Sequence, residues 1–442
     1  MVSMTAPTGR KMIFLTDPIE DRARDWGDYK RNYEATFTAE LLYPMTDNYE
    51  VMPWPERIFT RPYRLPNSDS SALIPKYYST QMLVMVNALN HVPLSDNKVS
   101  GAQGIGVLMG NSLMFQRFPT HNSYEDPQFS NFYGQTLPLV KRGVPVETVH
   151  MENLSYPATL KHIKVLVMSY SNMKPMSPEV HQQLADWVRK GGCLVYCGAD
   201  SDPYQGVMEW WNTKGNHFKA PSEHLFQLLG IRPAATGKQA QRFSAGKGTV
   251  YVIRQDPKEF VMQENGDKAY LNMITRAYQD DAKAGQLTWK NSFFLRRGPY
   301  DLVSVMDEGV SAAPYVVKGP VIDLFDPKLP VLKEKTVNPG QQAFLYDLSQ
   351  VKDKQRPTVL ASASRIYDEQ RNGRSYTFTA KGPLHTVNSM RVLLPSRPGQ
   401  IGLTGKSGKQ ISPAQTDWDA LTHTLYISCD NDPDGVKVRL GW

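Results

Sequence analysis

The stretch from Gly104 to Asp200 constrains the fold more strongly than any other part of the chain. Short apolar runs alternate there with helix-length amphipathic segments, and the runs read GIGVLMG, VPVETVHM, IKVLVMSYS and CLVYCGAD. This alternation is typical of a parallel sheet with helices on its faces, because strands buried on both sides are continuous apolar runs. From Leu287 the pattern changes to short alternating strands between turn signals, which predicts one or two antiparallel β-sandwiches.

The residues before Gly104 predict two further βα units. The expected order is a strand at Lys11–Thr16, a helix at Asp28–Tyr43, a strand at Asn48–Pro53 and a helix at Tyr77–His91. Two βα units cannot close a (β/α) barrel, which needs eight. A chain of 442 residues is also too long for one hydrophobic core, so two or three domains are expected.

Charge and hydropathy argue against two classes of partner. Lys and Arg exceed Asp and Glu by 50 to 43, but the basic residues are scattered, whereas nucleic-acid binding needs concentrated charge. No window of eighteen apolar residues is present, so no membrane span is predicted. The N-terminal sequence MVSMTAPTGRK lacks the apolar segment of a secretory signal.

No cofactor or redox site is predicted. Of the glycines at 104, 106 and 110, two lie before or within the predicted strand, whereas a dinucleotide fingerprint places its glycines after the strand. Cys193 and Cys197 are four residues apart on one predicted strand and face the same side. This spacing favours thiols in the core over a redox or metal pair.

Two segments resemble the C-terminal portion of multidomain glycoside hydrolases of family 42, the β-galactosidases with a trimerisation domain. They read FLTDPIEDRARDWGDYKRNYEATFTAELLYPMTDNYEVMPWPERIF and LKHIKVLVMSYSNMKPMSPEVHQQLADWVRKGG. The resemblance implies three parts. Residues 1–100 would be a partial barrel made of the last two βα units, residues 101–286 a glutamine-amidotransferase-like (flavodoxin-like) doubly wound domain, and residues 287–442 a β-sandwich region with one or two sub-domains.

The same resemblance implies where a catalytic carboxylate would lie. Residues 11–59 would correspond to barrel strands seven and eight, and the nucleophile at the end of strand seven would fall on Asp17 or Glu20. The acid/base carboxylate at the end of strand four has no counterpart in this sequence. A retaining mechanism needs two carboxylates about 5 Å apart, so one carboxylate cannot deliver it. The alternative is a solvated strand-to-helix turn in which Asp caps a helix.

Two pairs of residues suggest contacts with a sugar. Trp54 and Glu56 place an aromatic face beside a carboxylate, a combination that suits the C–H face and hydroxyls of a sugar ring, although a Trp-Pro packing corner fits equally well. Trp210 and Trp211 form an aromatic pair in a loop rich in Gly and Asn. They could line a glycan platform or a subunit contact, or pack beneath the loop.

The middle part offers little chemistry of its own. Amidotransferases of the related fold carry a Cys on a sharp, Gly-flanked turn, whereas the third strand here offers Ser169 and Ser171, and Cys197 does not match G-x-C-x-G. No spacing ties a histidine to a nucleophile; the histidines considered are His150, His162 and His181. The middle part is therefore expected to be a scaffold, and a hydrolase using Ser or Cys197 is the less favoured alternative.

Three carboxylates near the C-terminus suggest a calcium site. Asp430, Asp432 and Asp434 alternate before a glycine, and oxygen ligands at this spacing suit Ca²⁺. An EF-hand loop would need Glu at its twelfth position, where this chain has Gly441. A hairpin turn between TLYIS and VKVRL explains the same residues and is preferred.

The resulting hypothesis is a glycoside-hydrolase-family protein that carries an accessory half without the acid/base carboxylate. It would bind carbohydrate, and either self-associate or be complemented by a chain that bears the rest of the barrel. The alternative is a noncatalytic protein for glycan binding and oligomerisation. The compartment would be periplasmic or extracellular for the tail of a secreted glycosidase and cytoplasmic otherwise.

Overall fold

The computed structural model describes residues 2–16, 24–51, 56, 59–115 and 130–442. Contacts between residues divide the chain into two units. The α/β unit contains residues 2–12, 100–291 and 308–311, and the β-rich unit contains residues 13–99, 292–307 and 312–442. Residues 13–99 therefore share a unit with the C-terminal β region, whereas the sequence predicted a separate part of residues 1–100.

The described part of the first hundred residues contains short strands and two long helices. In chain order the elements are α1 (Val2–Thr5), β1 (Phe14–Thr16), α2 (Trp26–Leu41), β2 (Tyr49–Val51), β3 (Tyr63–Arg64), β4 (Ser71–Ala72) and α3 (Lys76–Leu89). Helix α2 starts where the Asp25 carboxylate accepts the Asp28 N–H at 2.9 Å. β1 and β2 pair in parallel, with Leu15 opposite Glu50.

The α/β unit is built on a six-stranded sheet with the order β6-β5-β7-β8-β10-β9. All neighbours pair in parallel except the edge strand β9, which is antiparallel to β10. The elements are β5 (Ile105–Met109), α4 (Ser112–Phe115), α5 (Ser130–Val140), β6 (Val146–His150), β7 (Val165–Met168), α6 (Glu179–Arg189), β8 (Cys193–Cys197), α7 (Pro221–Leu229), β9 (Gln241–Ala245), β10 (Gly248–Ile253), α8 (Lys258–Met262) and α9 (Lys268–Arg276), continued by one π-helical turn (Ala277–Asp281).

The central strands of this sheet are buried on both faces, as their apolar runs predict. In β8, Leu194 and Tyr196 belong to one core, whereas Cys193, Val195 and Cys197 belong to the core on the opposite face. The predicted placement of both cysteines on one face of a strand is thus confirmed.

The C-terminal part of the β-rich unit is entirely antiparallel. A five-stranded sheet has the order β11-β12-β15-β13-β14, and two further sheets have the orders β16-β19-β23-β22 and β17-β18-β24-β20-β21. The last two sheets share one apolar core and form a β-sandwich. The strands are β11 (Ser292–Arg297), β12 (Tyr300–Val305), β13 (Tyr315–Asp323), β14 (Val331–Val337), β15 (Gln342–Asp347), β16 (Thr358–Ser362), β17 (Arg365–Asn372), β18 (Ser375–Lys381), β19 (Val387–Leu393), β20 (Gln400–Gly405), β21 (Gln410–Ile411), β22 (Gln415–Asp419), β23 (Thr424–Asp430) and β24 (Val436–Gly441).

The structure thus confirms the coarse prediction of an α/β part together with antiparallel β-structure. Within the β-rich unit, helix α2 joins the five-stranded sheet in one core. The Phe37 ring lies 5.4 Å from Phe344 and 6.3 Å from Phe325 between ring centres. Among the described residues, no helix combines the length and the apolar character that crossing a bilayer requires.

A buried arginine joins three segments of the β-rich unit. Arg297, at the end of β11, is 0% exposed. Its guanidinium donates to the carbonyl oxygens of Pro93 at 3.0 Å, Leu41 at 3.1 Å and Thr46 at 2.7 Å, and to the hydroxyl of Tyr49 at 3.1 Å. The carbonyl of Leu41 is one of those that the C-terminus of α2 leaves without an intrahelical partner. Arg297 therefore caps α2 and holds the following loop against β11.

Replacing Arg297 by Met is expected to lower the free energy of unfolding of the β-rich unit by roughly 3–5 kcal/mol, because the change removes four hydrogen bonds and leaves the buried Leu41 carbonyl without its arginine partner. Urea unfolding followed by circular dichroism measures the change. Arg374→Met, at an exposed turn, is the matched control, with an expected change within about 0.5 kcal/mol. Equal unfolding midpoints for the two variants would contradict the assigned role.

Candidate functional site at the carboxyl edge of the parallel sheet

The strand order of the α/β unit brings its polar loops to one edge of the sheet. β6 lies beyond β5, and β8 lies beyond β7, so the order reverses between the neighbours β5 and β7. Open α/β sheets bind ligands outside the carboxyl ends of the strands at such a reversal. We call the polar residues that follow β5, β7, β8 and β10 the edge network. Its members are Ser112, Ser171, Asn172, Lys174, Asp200, Asp202, Arg254 and Asp256.

The chain makes a sharp left-handed turn after β7, at Asn172, where φ is 57°. Asn tolerates this conformation better than most residues because its short polar side chain bonds locally. The Asn172 N–H donates to Asp202 at 3.0 Å, and its side-chain oxygen accepts from Asn131 at 2.8 Å. In α/β-hydrolases the nucleophile sits on a strained strand-to-helix turn of this kind. Here an amide, which is not a nucleophile, stands at the turn.

Lys174 and Asp202 form a buried ion pair beside this turn. The Lys174 Nζ lies 2.8 Å from Asp202 Oδ2, and their side chains are 3% and 7% exposed. Burial lowers the pKa of Lys174, while the Asp202 carboxylate opposes that shift. Lys174 Nζ also donates to the Tyr170 carbonyl at 2.5 Å. Two charges removed from water are tolerable here because each is paired and hydrogen-bonded.

The hydroxyl of Ser171 is bound by a carboxylate. Ser171 Oγ donates to Asp256 Oδ1 at 2.6 Å, and the same oxygen accepts the Ala199 N–H at 2.9 Å. Ser171 is 3% exposed. A serine nucleophile needs a base, usually histidine, within hydrogen-bond reach. Its bond to Asp256 and its burial therefore describe a structural serine.

Asp200 occupies a second left-handed turn, after β8, with φ of 56°. Its carboxylate accepts from Arg254 at 2.5 Å, from Ser222 at 2.6 Å and from the hydroxyl of Tyr196. The Asp200 and Arg254 side chains are 10% and 8% exposed. This group joins β8, α7 and β10 at the edge of the sheet.

Two histidines of the α/β unit, His181 on α6 and His224 on α7, lie close together. His181 Nε2 lies 2.7 Å from the Tyr170 hydroxyl, and His181 Nδ1 lies 2.9 Å from His224 Nδ1. Two imidazole nitrogens at this distance share one hydrogen bond only if one donates and the other accepts. Burial lowers the pKa of His181 to about 3, and His224 contributes to the shift. Burial also lowers the pKa of His224. Both rings are therefore neutral near neutral pH.

The cysteines of the sheet are inert. Cys197 is 0% exposed and Cys193 is 1% exposed. Burial raises the pKa of both thiols, to about 12 for Cys193. A thiolate, not a thiol, is the nucleophile. Cys197 therefore cannot serve as the nucleophile of the hydrolase considered above as an alternative.

Trp210 and Trp211, the two tryptophans considered for glycan binding, differ in burial. Trp211 is 1% exposed and donates its indole N–H to the Gln205 carbonyl at 3.2 Å, so it offers no face to a glycan. Trp210 donates to the Pro175 carbonyl at 2.9 Å, and its ring lies 5.3 Å from both His181 and His224. An aromatic platform at this loop would have to rest on Trp210, which is half-buried.

Of the candidate glycosidase residues near the N-terminus, the structure describes Glu56. Asp17, Glu20 and Trp54 lie outside the described residues, so the nucleophile and the Trp54–Glu56 contact stay predictions. Glu56 is exposed, and its carbonyl oxygen accepts the Thr60 N–H at 3.1 Å.

The predicted hairpin near the C-terminus is wrong, because β23 and β24 belong to different sheets of the sandwich. The segment that carries Asp430, Asp432 and Asp434 crosses between them. Asp432 Oδ1 accepts the Asp434 N–H at 2.8 Å, and Asp434 pairs with Lys406 at 3.0 Å. Among the described residues, no group of three or more His, Cys, Asp or Glu side chains could hold a metal ion.

Sequence reasoning missed Glu40, in the last turn of α2. Burial raises its pKa to about 7, and its Oε2 has no hydrogen-bond partner among the described residues. Its charge acts on Tyr49, which binds Arg297. The sequence shows only a Glu next to an apolar stripe, which is typical of a solvated helix face, so no signal marked it.

Comparisons with known proteins give structural likeness only. No protein-family model and no curated protein matches the sequence. Among solved structures, a GH42 β-galactosidase from G. stearothermophilus has a TM-score of 0.39 at 12% identity and covers 76% of this chain and 59% of its own. The cold-adapted β-galactosidase from Rahnella sp. R3 has a TM-score of 0.38 at 12% identity, with 76% and 60% covered.

A β-galactosidase from Bacillus circulans sp. alkalophilus is also similar. Its TM-score is 0.35 at 10% identity, and the match covers 60% of this chain and 43% of that chain. The chain thus spans between 43% and 60% of the length of these three enzymes. Likeness at these values does not establish a family.

The buried histidine pair predicts acid sensitivity of the α/β unit. The pKa of His181 is about 3 in the folded state and about 6.5 when unfolded, so the unfolded state binds more protons between these values. The free energy of unfolding should therefore fall as pH drops from about 6.5 towards about 3, by several kcal/mol in total.

Urea midpoints recorded across this pH range test the sign and the source of the effect. His181→Gln should flatten the pH dependence, and His162→Gln, at an exposed position, should leave it unchanged. A His181→Gln variant with the wild-type slope would rule out the histidine pair as the cause.

Proposed function

We propose that the chain is a non-hydrolytic accessory part of a carbohydrate-processing system, with the α/β unit as its scaffold. One observation carries the non-hydrolytic part of the proposal. The nucleophiles considered at the carboxyl edge of the sheet are bound by non-catalytic partners or sealed in the core. Ser171 donates to Asp256 at 2.6 Å, and Cys197 is 0% exposed.

His181, which bonds Tyr170, the residue between Ser169 and Ser171, is not available as a base for Ser171. His181 is 0% exposed and already bonds Tyr170 and His224. A general base must lie within hydrogen-bond reach of the proton that it removes. His181 has no such contact with Ser171, and its ring nitrogens are both occupied. Among the described contacts, Ser171 and Cys197 thus lack a histidine base, which suits an edge that holds other parts of a molecule in place.

The carbohydrate part of the proposal rests on the sequence resemblance to family 42 glycosidases. In this proposal the segment around β1, α2 and β2 is the end of a catalytic barrel. Asp17 or Glu20 would then stand at the nucleophile position, and the α/β unit would be the amidotransferase-like domain. Glycan binding and self-association without any catalysis is the narrower form of the same proposal.

A second form, complementation by a barrel-bearing chain, is supported by the two-stranded sheet. β1 and β2 pair in parallel and have no further strand among the described residues. Ile13, just before β1, is 57% exposed, and Leu15, within β1, is 56% exposed. Parallel sheets normally bury both faces. Additional strands from another chain would cover these apolar side chains.

The non-hydrolytic assignment predicts no turnover of aryl glycosides by the chain alone and no labelling of the folded protein by iodoacetamide or a fluorophosphonate. In concentrated urea all three cysteines should react with iodoacetamide. This result would show that burial in the folded protein protects the thiols from the reagent. Ser171→Ala should match wild type in every assay. Turnover that Ser171→Ala abolishes would overturn the scaffold assignment.

The complementation form has its own test. The product of the gene immediately upstream is mixed with this chain, and a panel of aryl glycosides is assayed. Turnover should require both proteins and should drop at least tenfold with Leu15→Lys, which places a charge in the apolar contact. Leu421→Lys, at another highly exposed leucine, is the control. A mixture without turnover would exclude this form and leave the noncatalytic one.

A further inference from the structure

A groove of about 330 Å³ lies inside the β-rich unit, between the C-terminal end of α3 and strands β16 and β17. It exists because the chain crosses from one sheet of the sandwich to the other between these strands, which leaves a step beside the helix. Asn87 fixes the wall by donating to the Ser362 carbonyl at 3.2 Å. Ligand pockets have volumes of about 300–1,000 Å³, so the groove is large enough for a small ligand such as one sugar residue.

The mouth of this groove is lined by polar side chains, of which Asn90 also donates to the Asn87 carbonyl at 3.4 Å. Asn90, His91, Arg365 and Tyr367 line it, and all four are exposed. Within the described residues, no carboxylate lies within ion-pair distance of the Arg365 guanidinium. Tyr367 is 43% exposed and so presents a large aromatic surface at the mouth. The combination offers hydrogen-bond donors and acceptors together with one apolar face.

Two positive charges oppose each other at this mouth. Arg365 is the cross-strand partner of Lys381 in the pair formed by β17 and β18, and both side chains are exposed. Like charges in directly opposite positions destabilise a sheet. Lys381 is not itself a lining residue, but its Nζ lies 5.5 Å from the centre of the Tyr367 ring, so the second cation lies beside a residue of the groove. An anion between the two cations would remove their repulsion.

The acidic residue of the groove does not neutralise these cations. Glu369 accepts a hydrogen bond from Arg371 at 2.7 Å and another from the hydroxyl of Tyr376. Its charge is therefore engaged on the far side of the strand bulge between Tyr367 and Gln370. The charge that remains free at the mouth of the groove is positive.

We infer that the groove binds a sugar residue that carries an anionic group, either a carboxylate or a sulfate ester. The anion lies between Arg365 and Lys381, and charge-assisted hydrogen bonds hold it. The apolar C–H face of the ring rests on Tyr367, and Asn90 and His91 bond the hydroxyls. That the ligand is a sugar rests on the proposed function, whereas its anionic character follows from the charges of the groove.

Calorimetric titration of the full chain tests this inference with glucuronate, sulfated galactose and neutral galactose as probes. The two anionic sugars should bind and galactose should bind at least tenfold more weakly. Arg365→Gln should weaken binding of the anionic sugars by tenfold or more, because it removes a charged donor. Lys381→Gln should act in the same direction. Arg374→Gln, on the turn at the other end of the same hairpin, should bind as wild type does.

Several outcomes would overturn the inference. Equal affinity for galactose and glucuronate would show that the groove does not select anionic sugars. Equal affinity for glucuronate and inorganic sulfate would show that the sugar ring does not contribute to binding. Unchanged binding by both Arg365→Gln and Lys381→Gln would exclude the groove as the site. Circular dichroism of both variants shows that they are folded. Hydrolysis of a glycoside by the chain alone would contradict the proposed function without affecting this binding result, so the two failures are distinguishable.

Discussion

The β-rich unit depends on one desolvated positive charge. Arg297 is completely buried, and three carbonyl oxygens and one hydroxyl surround its guanidinium. Partial negative charges at the C-terminus of α2 stabilise a cation there. The same contacts fix the loop at Thr46 and the segment at Pro93 relative to β11. A single side chain thus links α2, this loop and the five-stranded sheet, whose apolar side chains share one core.

In the α/β unit, buried charges are stabilised by ion pairs. Buried charges at its edge are matched within short distances, as in Lys174 with Asp202 and Arg254 with Asp200. Such pairs seldom add much stability over apolar packing, but breaking one leaves an uncompensated charge. The edge network therefore specifies the loop conformations more than it stabilises the sheet, which accords with a structural role for an edge that in other proteins binds ligands.

Local patterns in the sequence predicted the local elements well. The predicted helices at Asp28–Tyr43 and Tyr77–His91 are observed at Trp26–Leu41 and Lys76–Leu89. Contacts between distant residues could not be predicted, because no local pattern names the partner. Ser171 and Asp256 are 85 positions apart, and the crossing of the chain after β23 looks like a hairpin in sequence. Very short strands such as β21 also lack any periodicity to detect.

The left-handed turn at Asn172 has a consequence for how such a unit can evolve. The backbone N–H donates to Asp202, and the side-chain oxygen accepts from Asn131, so the backbone of the turn is held without a reactive side chain. Exchange of this one residue would change the side chain at the turn and remove the bond from Asn131, while the surrounding ion pairs are retained. Catalysis would need a second change as well, because Tyr170 and His224 occupy both ring nitrogens of His181 and a base would have to be introduced within reach of the turn.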